Sequence, residues 1–197
     1  AEFQTQITTA QQAANRAEGF LKQVNTASTA IPAVIDDVAE AIAQGNDAIT
    51  LEQASSSFPF NTNAFDAQVS TGRQNLDQAL VELGKATTAK NNIELEIATI
   101  ETIKQGITDS DDLSQIDESL DRANAALTAA ESAVADTPTL VTTAQADFTD
   151  FQNEAVPSFA NLIQTKIDSI DTELKTIPVP VFAAETLGAA QGFQTEL

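Results

Sequence analysis

The spacing of its apolar residues constrains the fold of this chain more than any other feature. Along most of the 197 residues, apolar side chains recur at alternating steps of three and four, which places them on one stripe of an α-helix. A spacing near 3.5 residues is typical of helices that coil around one another. The sequence therefore predicts an all-α fold. We expect an up-and-down antiparallel helical bundle with coiled-coil-like heptad packing, which can be elongated.

Proline and loop residues divide this pattern into four to six helices. The first stripe ends before Pro32, where we expect a break or kink, because proline lacks an N–H group and restricts the residue before it. Residues 55–63 form the clearest loop, with three serines, two asparagines and Pro59. The next stripe spans 65–107, and Gly84 leaves open whether it is one helix or two.

The second half of the chain carries clear start and stop signals. Gly106 is predicted to end a helix, and the segment from Thr108 to Asp111 offers caps for the next one. Thr137 and Pro138 are predicted to start the last long helix, with a kink near Pro157. Helix order in space does not follow from the sequence, although short connections favour antiparallel neighbours.

The domain prediction follows from where the stripes stop. Residues 1–177 are expected to form a single helical bundle domain. Residues 178–197 are expected to form an extended proline-containing segment, starting at Pro178, and a short C-terminal helix.

The residue types that are absent narrow the functions open to the chain. It contains no His, Cys, Met, Trp or Tyr. Histidine is the usual general base near neutral pH and the commonest metal ligand, and cysteine is the most reactive nucleophile. We therefore predict a protein that is not an enzyme and that has no cofactor. Facing carboxylates such as Glu94 and Glu101 are more simply interpreted as a solvated helix face.

The charge of the chain limits the classes of partner that it is expected to bind. There are 29 acidic and 9 basic residues, a net charge of −20, and the basic residues form no cluster. Nucleic-acid binding depends on clustered Lys and Arg, so no nucleic-acid partner is expected. No apolar run approaches the roughly 20 residues of a spanning helix, so no transmembrane segment is expected either. A protein partner, self-association and an apolar small molecule remain open.

Several features suggest a secreted, extracellular protein. The chain begins with Ala1 rather than Met and lacks nearly every readily oxidised side chain. Whether Ala1, Glu2 and Phe3 are native or left by a cloning site and leader stays open.

Phenylalanines are the first candidate site. We expect them to gather at one end of the bundle, either as a pocket for a fatty acid, sterol or pigment or as ordinary core residues that seal that end. The candidate residues are Phe58, Phe60, Phe65, Phe148, Phe151 and Phe159.

The acidic turn at Asp109, Asp111 and Asp112 is a weak candidate for a calcium site. It lacks the glycine and the ligand order of an EF-hand loop. Capping of the following helix explains these residues, so no metal site is predicted.

Two functions from different classes are consistent with these observations. The first is a secreted, acidic, non-catalytic helical protein with a structural or interaction role, self-associating through apolar stripes left uncovered. The alternative is a carrier of an apolar small molecule bound between helices.

Overall fold

Helices make up the regular structure of the described residues. The computed structural model describes residues 3–55 and 60–178, and these contain α-helices but no β-strand. The helices are α1 (Gln4–Ala54), α2 (Asn63–Gln105), α3 (Ser110–Val134) and α4 (Thr137–Thr176). The prediction of an all-α fold is confirmed. The extra helices that a break at Pro32 or Gly84 would create are absent from the described ranges, since α1 and α2 each continue through these residues.

The chain divides into two compact units. Unit 1 is Ala1–Pro157 and unit 2 is Ser158–Leu197, so the boundary lies at Pro157, inside α4. The boundary expected from the sequence lay after Ile177. The extended segment and short helix expected over 178–197 lie outside the described residues, apart from Pro178.

In unit 1, α1 and α2 run antiparallel, and α2 and α3 do the same. Early α1 meets late α2, where Arg16 pairs with Glu96, and later α1 meets earlier α2, where Ile31 packs with Ala79. Lys104 near the end of α2 pairs with Asp117 in the first half of α3. These pairs fit the antiparallel order expected for short connections.

The step from α3 to α4 differs from the up-and-down prediction, because α4 continues in the direction of α3 instead of reversing. Along α1, Arg122 of α3 pairs with Glu18, Val141 of α4 packs with Ile31, and Phe151 lies against Gly45. The residue numbers of contacting partners therefore increase together along α1 and along the path of α3 and α4, so these run parallel. Within unit 1, α3 and the start of α4 together make the third helical layer.

The junction between α3 and α4 keeps local features of a helix. Ala135 keeps helical dihedral angles, with φ −52° and ψ −45°. Pro138 has no N–H to donate to the carbonyl of Val134, the acceptor four residues earlier. The Thr137 hydroxyl donates to that carbonyl instead, at 2.9 Å. The junction between α3 and α4 is therefore a short irregular segment, and the helical path keeps its direction across it.

Pro32 does not end a helix, contrary to the predicted break. The residue lies on an exposed face of α1, while Ile31 and Val38 beside it are buried. A proline inside a helix costs about 3 kcal/mol. Burying one large aliphatic side chain contributes about 1.5–3 kcal/mol, so packing on either side of Pro32 outweighs the local cost. Pro157 likewise lies within α4.

The core of unit 1 includes two separate hydrophobic clusters. The first core joins α1, α2 and α3, and its largest fully buried side chains are those of Ile7, Val24, Ile93, Ile100 and Ile116. The second core contains Ile31, Ala79 and Val141, with Val34, Ile35 and Leu83 packed against it. Alanines fill many of the remaining positions of the first core, which lets the helices approach closely.

Candidate functional sites

Three of the candidate phenylalanines form a cluster in unit 1. Phe65 lies in the first turn of α2, and Phe148 and Phe151 lie one turn apart on α4. The ring centroids of Phe65 and Phe151 are 6.0 Å apart, and those of Phe148 and Phe151 are also 6.0 Å apart, both pairs tilted. Such spacing is typical of attractive aromatic contacts. All three residues are at most 5% exposed.

Two glycines make room for these rings. A Cβ atom on Gly45 of α1 would lie 2.5 Å from Cζ of Phe151, and a Cβ atom on Gly72 of α2 would clash with the Phe148 ring. Each ring therefore occupies the space that a side chain would take on the opposite helix. Both glycines lie on apolar stripes of the sequence. A glycine at a stripe position is the signal from which these ring contacts could have been predicted.

The other three candidate phenylalanines lie outside α2 and the part of α4 that belongs to unit 1. Phe58 lies outside the described residues. Phe60, just before α2, is partly buried. Phe159 is buried but belongs to unit 2. Among the described residues, ring contacts join Phe65, Phe148 and Phe151 of the six residues that the sequence offered as a ligand site.

The acidic turn before α3 caps the helix. Oδ1 of Asp109 accepts hydrogen bonds from the backbone N–H groups of Asp111 and Asp112, at 3.0 and 3.1 Å. Asp111 and Asp112 lie in the first helical turn, where the helix dipole favours negative charge. Across 3–55 and 60–178, no three acidic side chains are grouped to hold a metal ion.

Ion pairs connect the three helical layers around the first core. Arg16 donates two hydrogen bonds to the Glu96 carboxylate, at 2.8 and 2.7 Å, and these bonds raise the pKa of Arg16. Arg122 of α3 reaches α1 by donating to Glu18 at 2.9 Å and to Asn15 at 2.7 Å.

The third connection joins α2 to α3. Nζ of Lys104 lies 2.6 Å from Oδ1 of Asp117 without hydrogen-bond alignment, so the contact is an ion pair only. Each pair of layers is thus connected at this end of unit 1. Arg16, Lys104 and Arg122, three of the nine basic residues, form these connections between helices.

An uncovered apolar stripe runs along the part of α4 that belongs to unit 2. Its members follow steps of four and three: Ile163, Ile167, Ile170, Leu174 and Ile177. Ile167, Leu174 and Ile177 are 45%, 59% and 60% exposed, and Ile163 and Ile170 are partly buried. We call these five residues the α4 stripe. The sequence identified the stripe, but its exposure depends on where the helix lies and required the structure.

The helices of the described residues show no membrane-spanning character, since none of them is both long enough and apolar enough to cross a bilayer.

Searches for related proteins leave the chain without a family assignment. It matches no known protein family, no curated protein and no solved structure.

Proposed function

We propose that this chain is a secreted, non-catalytic structural protein that self-associates through the α4 stripe. The observation that supports this function is the exposure of Ile167, Leu174 and Ile177 on one helix face. An exposed apolar patch of this kind typically marks an interaction site, because leaving apolar area in water is unfavourable. The lack of His, Cys and Tyr supports the non-catalytic part of the proposal, and the lack of readily oxidised residues supports secretion.

The spacing of the α4 stripe favours a second helix as its partner. The steps from Ile163 through Ile177 are those of alternating core positions in a heptad repeat. The stripe covers about two heptads, fewer than the three or four that indicate a stable coiled coil by themselves. We therefore expect a weak, concentration-dependent association.

The low net charge around the α4 stripe is compatible with a second copy as its partner. Residues 158–178 contain three acids and two bases, a net charge of −1, whereas the whole chain carries −20. Two copies of a strongly acidic protein repel each other, and this repulsion is smallest where net charge is lowest. The apolar stripe thus lies on a segment whose net charge is small, where like-charge repulsion opposes self-association less than the overall charge of the chain would suggest.

Sedimentation velocity over a wide concentration range tests this proposal. The parent protein should show a mass that rises with concentration. The double substitution Ile167→Gln and Leu174→Gln should keep it monomeric, because both stripe contacts would lose their apolar surface.

The matched control removes equal apolar groups elsewhere. Leu51 and Leu95 are 72% and 65% exposed on α1 and α2, so the variant with Leu51→Gln and Leu95→Gln should associate like the parent. A parent protein that stays monomeric at every concentration would contradict self-association. Equal loss in both double variants would contradict the choice of the α4 stripe.

A carrier function remains the second proposal, supported by the gathering of Phe65, Phe148 and Phe151. Under this proposal an apolar molecule lies against the three rings, between α1, α2 and α4. Organic extraction of protein from its natural source, followed by mass spectrometry against a matched blank, tests it. A single apolar species in near-equal molar amount would support a carrier, and an empty extract would count against one.

A further inference from the structure

One level of unit 1 carries buried polar residues on all three helical layers. Ile31, Ala79 and Val141 pack together in the second core. Ser28 lies three residues before Ile31, Glu82 three after Ala79, and Thr137 four before Val141. Because α2 runs opposite to α1 and α4, each of the three is displaced from the second core by about one turn in the same direction. We call Ser28, Glu82 and Thr137 the middle layer.

The middle layer separates the two cores. Its three members are each at most 9% exposed. On its other side the first core ends at Val24, Ala89 and Ala130. Between the two cores the fully buried apolar residues are Ala27 and Ala86, which are small, while Val134 packs against the first core and Leu83 against the second. The large aliphatic side chains at this level, Leu83 and Val134, are thus only partly buried.

The helices are also individually weakened near this level. Pro32 has no N–H to donate to the carbonyl of Ser28 in α1, and Pro138 has none for Val134. In α2 the corresponding weak residue is Gly84, exposed and with no atom near the position of a Cβ. Each of the three helical paths therefore has its own weak point within about two turns of the middle layer.

The polar groups of this layer do little to join the helices. Oγ of Ser28 is buried without a hydrogen-bond partner. Glu82 accepts hydrogen bonds from Gln78 at 2.6 Å and Lys85 at 2.8 Å, both on its own helix. Thr137 donates to Val134. These bonds satisfy Glu82 and Thr137 without connecting one helix to another, in contrast to the ion pairs around the first core.

An open groove of about 350 Å³ lies beside the middle layer, between α1 and α2. Its lining includes Thr26 and Ala27 of α1 and Glu82 and Lys85 of α2. At this level the surface between α1 and α2 is therefore not filled by side chains.

We propose that the middle layer is a hinge about which the two halves of unit 1 bend. Bending concentrates where each helix lacks a backbone hydrogen bond or a side chain, and where the packed core is thinnest. The first core moves as one body, and the second core with the phenylalanine cluster moves as the other. This proposal does not depend on self-association.

Residual dipolar couplings of the full-length chain, measured on N–H and Cα–Hα pairs in a dilute aligning medium, test the hinge. Couplings from the helical segments of each half are fitted separately to an alignment tensor. A hinge predicts two tensors that differ in magnitude or orientation. One tensor that fits both halves would overturn the proposal.

A stiffened variant tests whether the motion belongs to this layer. Pro32→Ala, Gly84→Ala and Pro138→Ala together restore two backbone donors and one helix-favouring side chain, so the two tensors should converge. The matched control, Gly19→Ala with Pro157→Ala, changes the same residue types away from the layer and should leave the tensors distinct. Should the triple variant fail to fold by circular dichroism, Gly84→Ala alone should bring the tensors closer. Tensors unchanged by stiffening would overturn the assignment.

Discussion

Gly45 and Gly72 shape the core by having no side chain. Alanine at either position would place a methyl group against a buried phenylalanine ring, Phe151 or Phe148. Overpacking of this kind costs about 1–3 kcal/mol, and the better helix propensity of alanine offsets at most about 1 kcal/mol of it. We expect Gly45→Ala and Gly72→Ala each to lower the free energy of unfolding, measured by urea denaturation.

The same substitution should have the opposite sign where space is open. Gly84 has no atom within 4 Å of an added Cβ, so Gly84→Ala should raise the free energy of unfolding by up to about 1 kcal/mol. If all three variants raised the free energy of unfolding alike, helix propensity rather than the ring contacts would account for the result.

Ile97 tests the stripe assignment itself. It is 8% exposed in the first core, so Ile97→Asp would place a carboxylate among apolar side chains. An uncompensated buried charge costs about 3–5 kcal/mol. Thermal unfolding should show this loss, while Glu118→Ala on an exposed face of α3 should change stability by no more than about 0.5 kcal/mol. Two equally mild effects would mean that Ile97 is not in the core.

At the scale of the helix, the start of α3 depends on one side chain. Asp109 accepts two backbone hydrogen bonds that would otherwise lack partners in the first turn. Asp109→Ala should therefore reduce the free energy of unfolding by about 1 kcal/mol. Asp109→Asn keeps an oxygen acceptor and should lose much less. Chemical denaturation of both variants compares them directly, and equal losses would point to charge rather than capping.

The sequence could predict those features of the elements that depend on neighbouring residues. The end of α2 at Gly106, a cap within Thr108 to Asp111 and a helix start near Thr137 were all predicted from local sequence signals, although the Thr137 hydroxyl donates to Val134 instead of capping α4. Continuity through Pro32 was not, because packing of Ile31 and Val38 outweighs a local penalty.

The direction of α4 could not be predicted either, because its start packs along α1 and α2 through Val141, Phe148 and Phe151, which are far from their partners in sequence. The phenylalanine cluster could not be predicted for the same reason. Phe65, Phe148 and Phe151 meet only because α4 continues alongside α1, and no local pattern specifies this course.

At the scale of the whole molecule, uneven charge sets the conditions for association. The net charge of −20 repels a second copy, while residues 158–178 contribute only −1 of it. Apolar attraction at the α4 stripe is short-ranged, whereas repulsion between the acidic bodies reaches across a Debye length, roughly 30 Å at 0.01 M salt and about 10 Å at 0.1 M. Self-association should therefore be weakest at low ionic strength.

Raising the salt concentration should strengthen self-association through the α4 stripe. Salt screens the repulsion but leaves the apolar contact in place, so the dissociation constant from sedimentation equilibrium should fall as NaCl is raised from 0.01 M to 0.1 M. Lowering the pH toward the isoelectric point near 4.1 should act in the same direction, because protonated carboxylates no longer repel. The variant with Ile167→Gln and Leu174→Gln should stay monomeric under all these conditions. This comparison distinguishes association through the α4 stripe from a general loss of solubility. Association that weakened with salt would require attractive ion pairs between copies and would exclude an apolar interface of this kind.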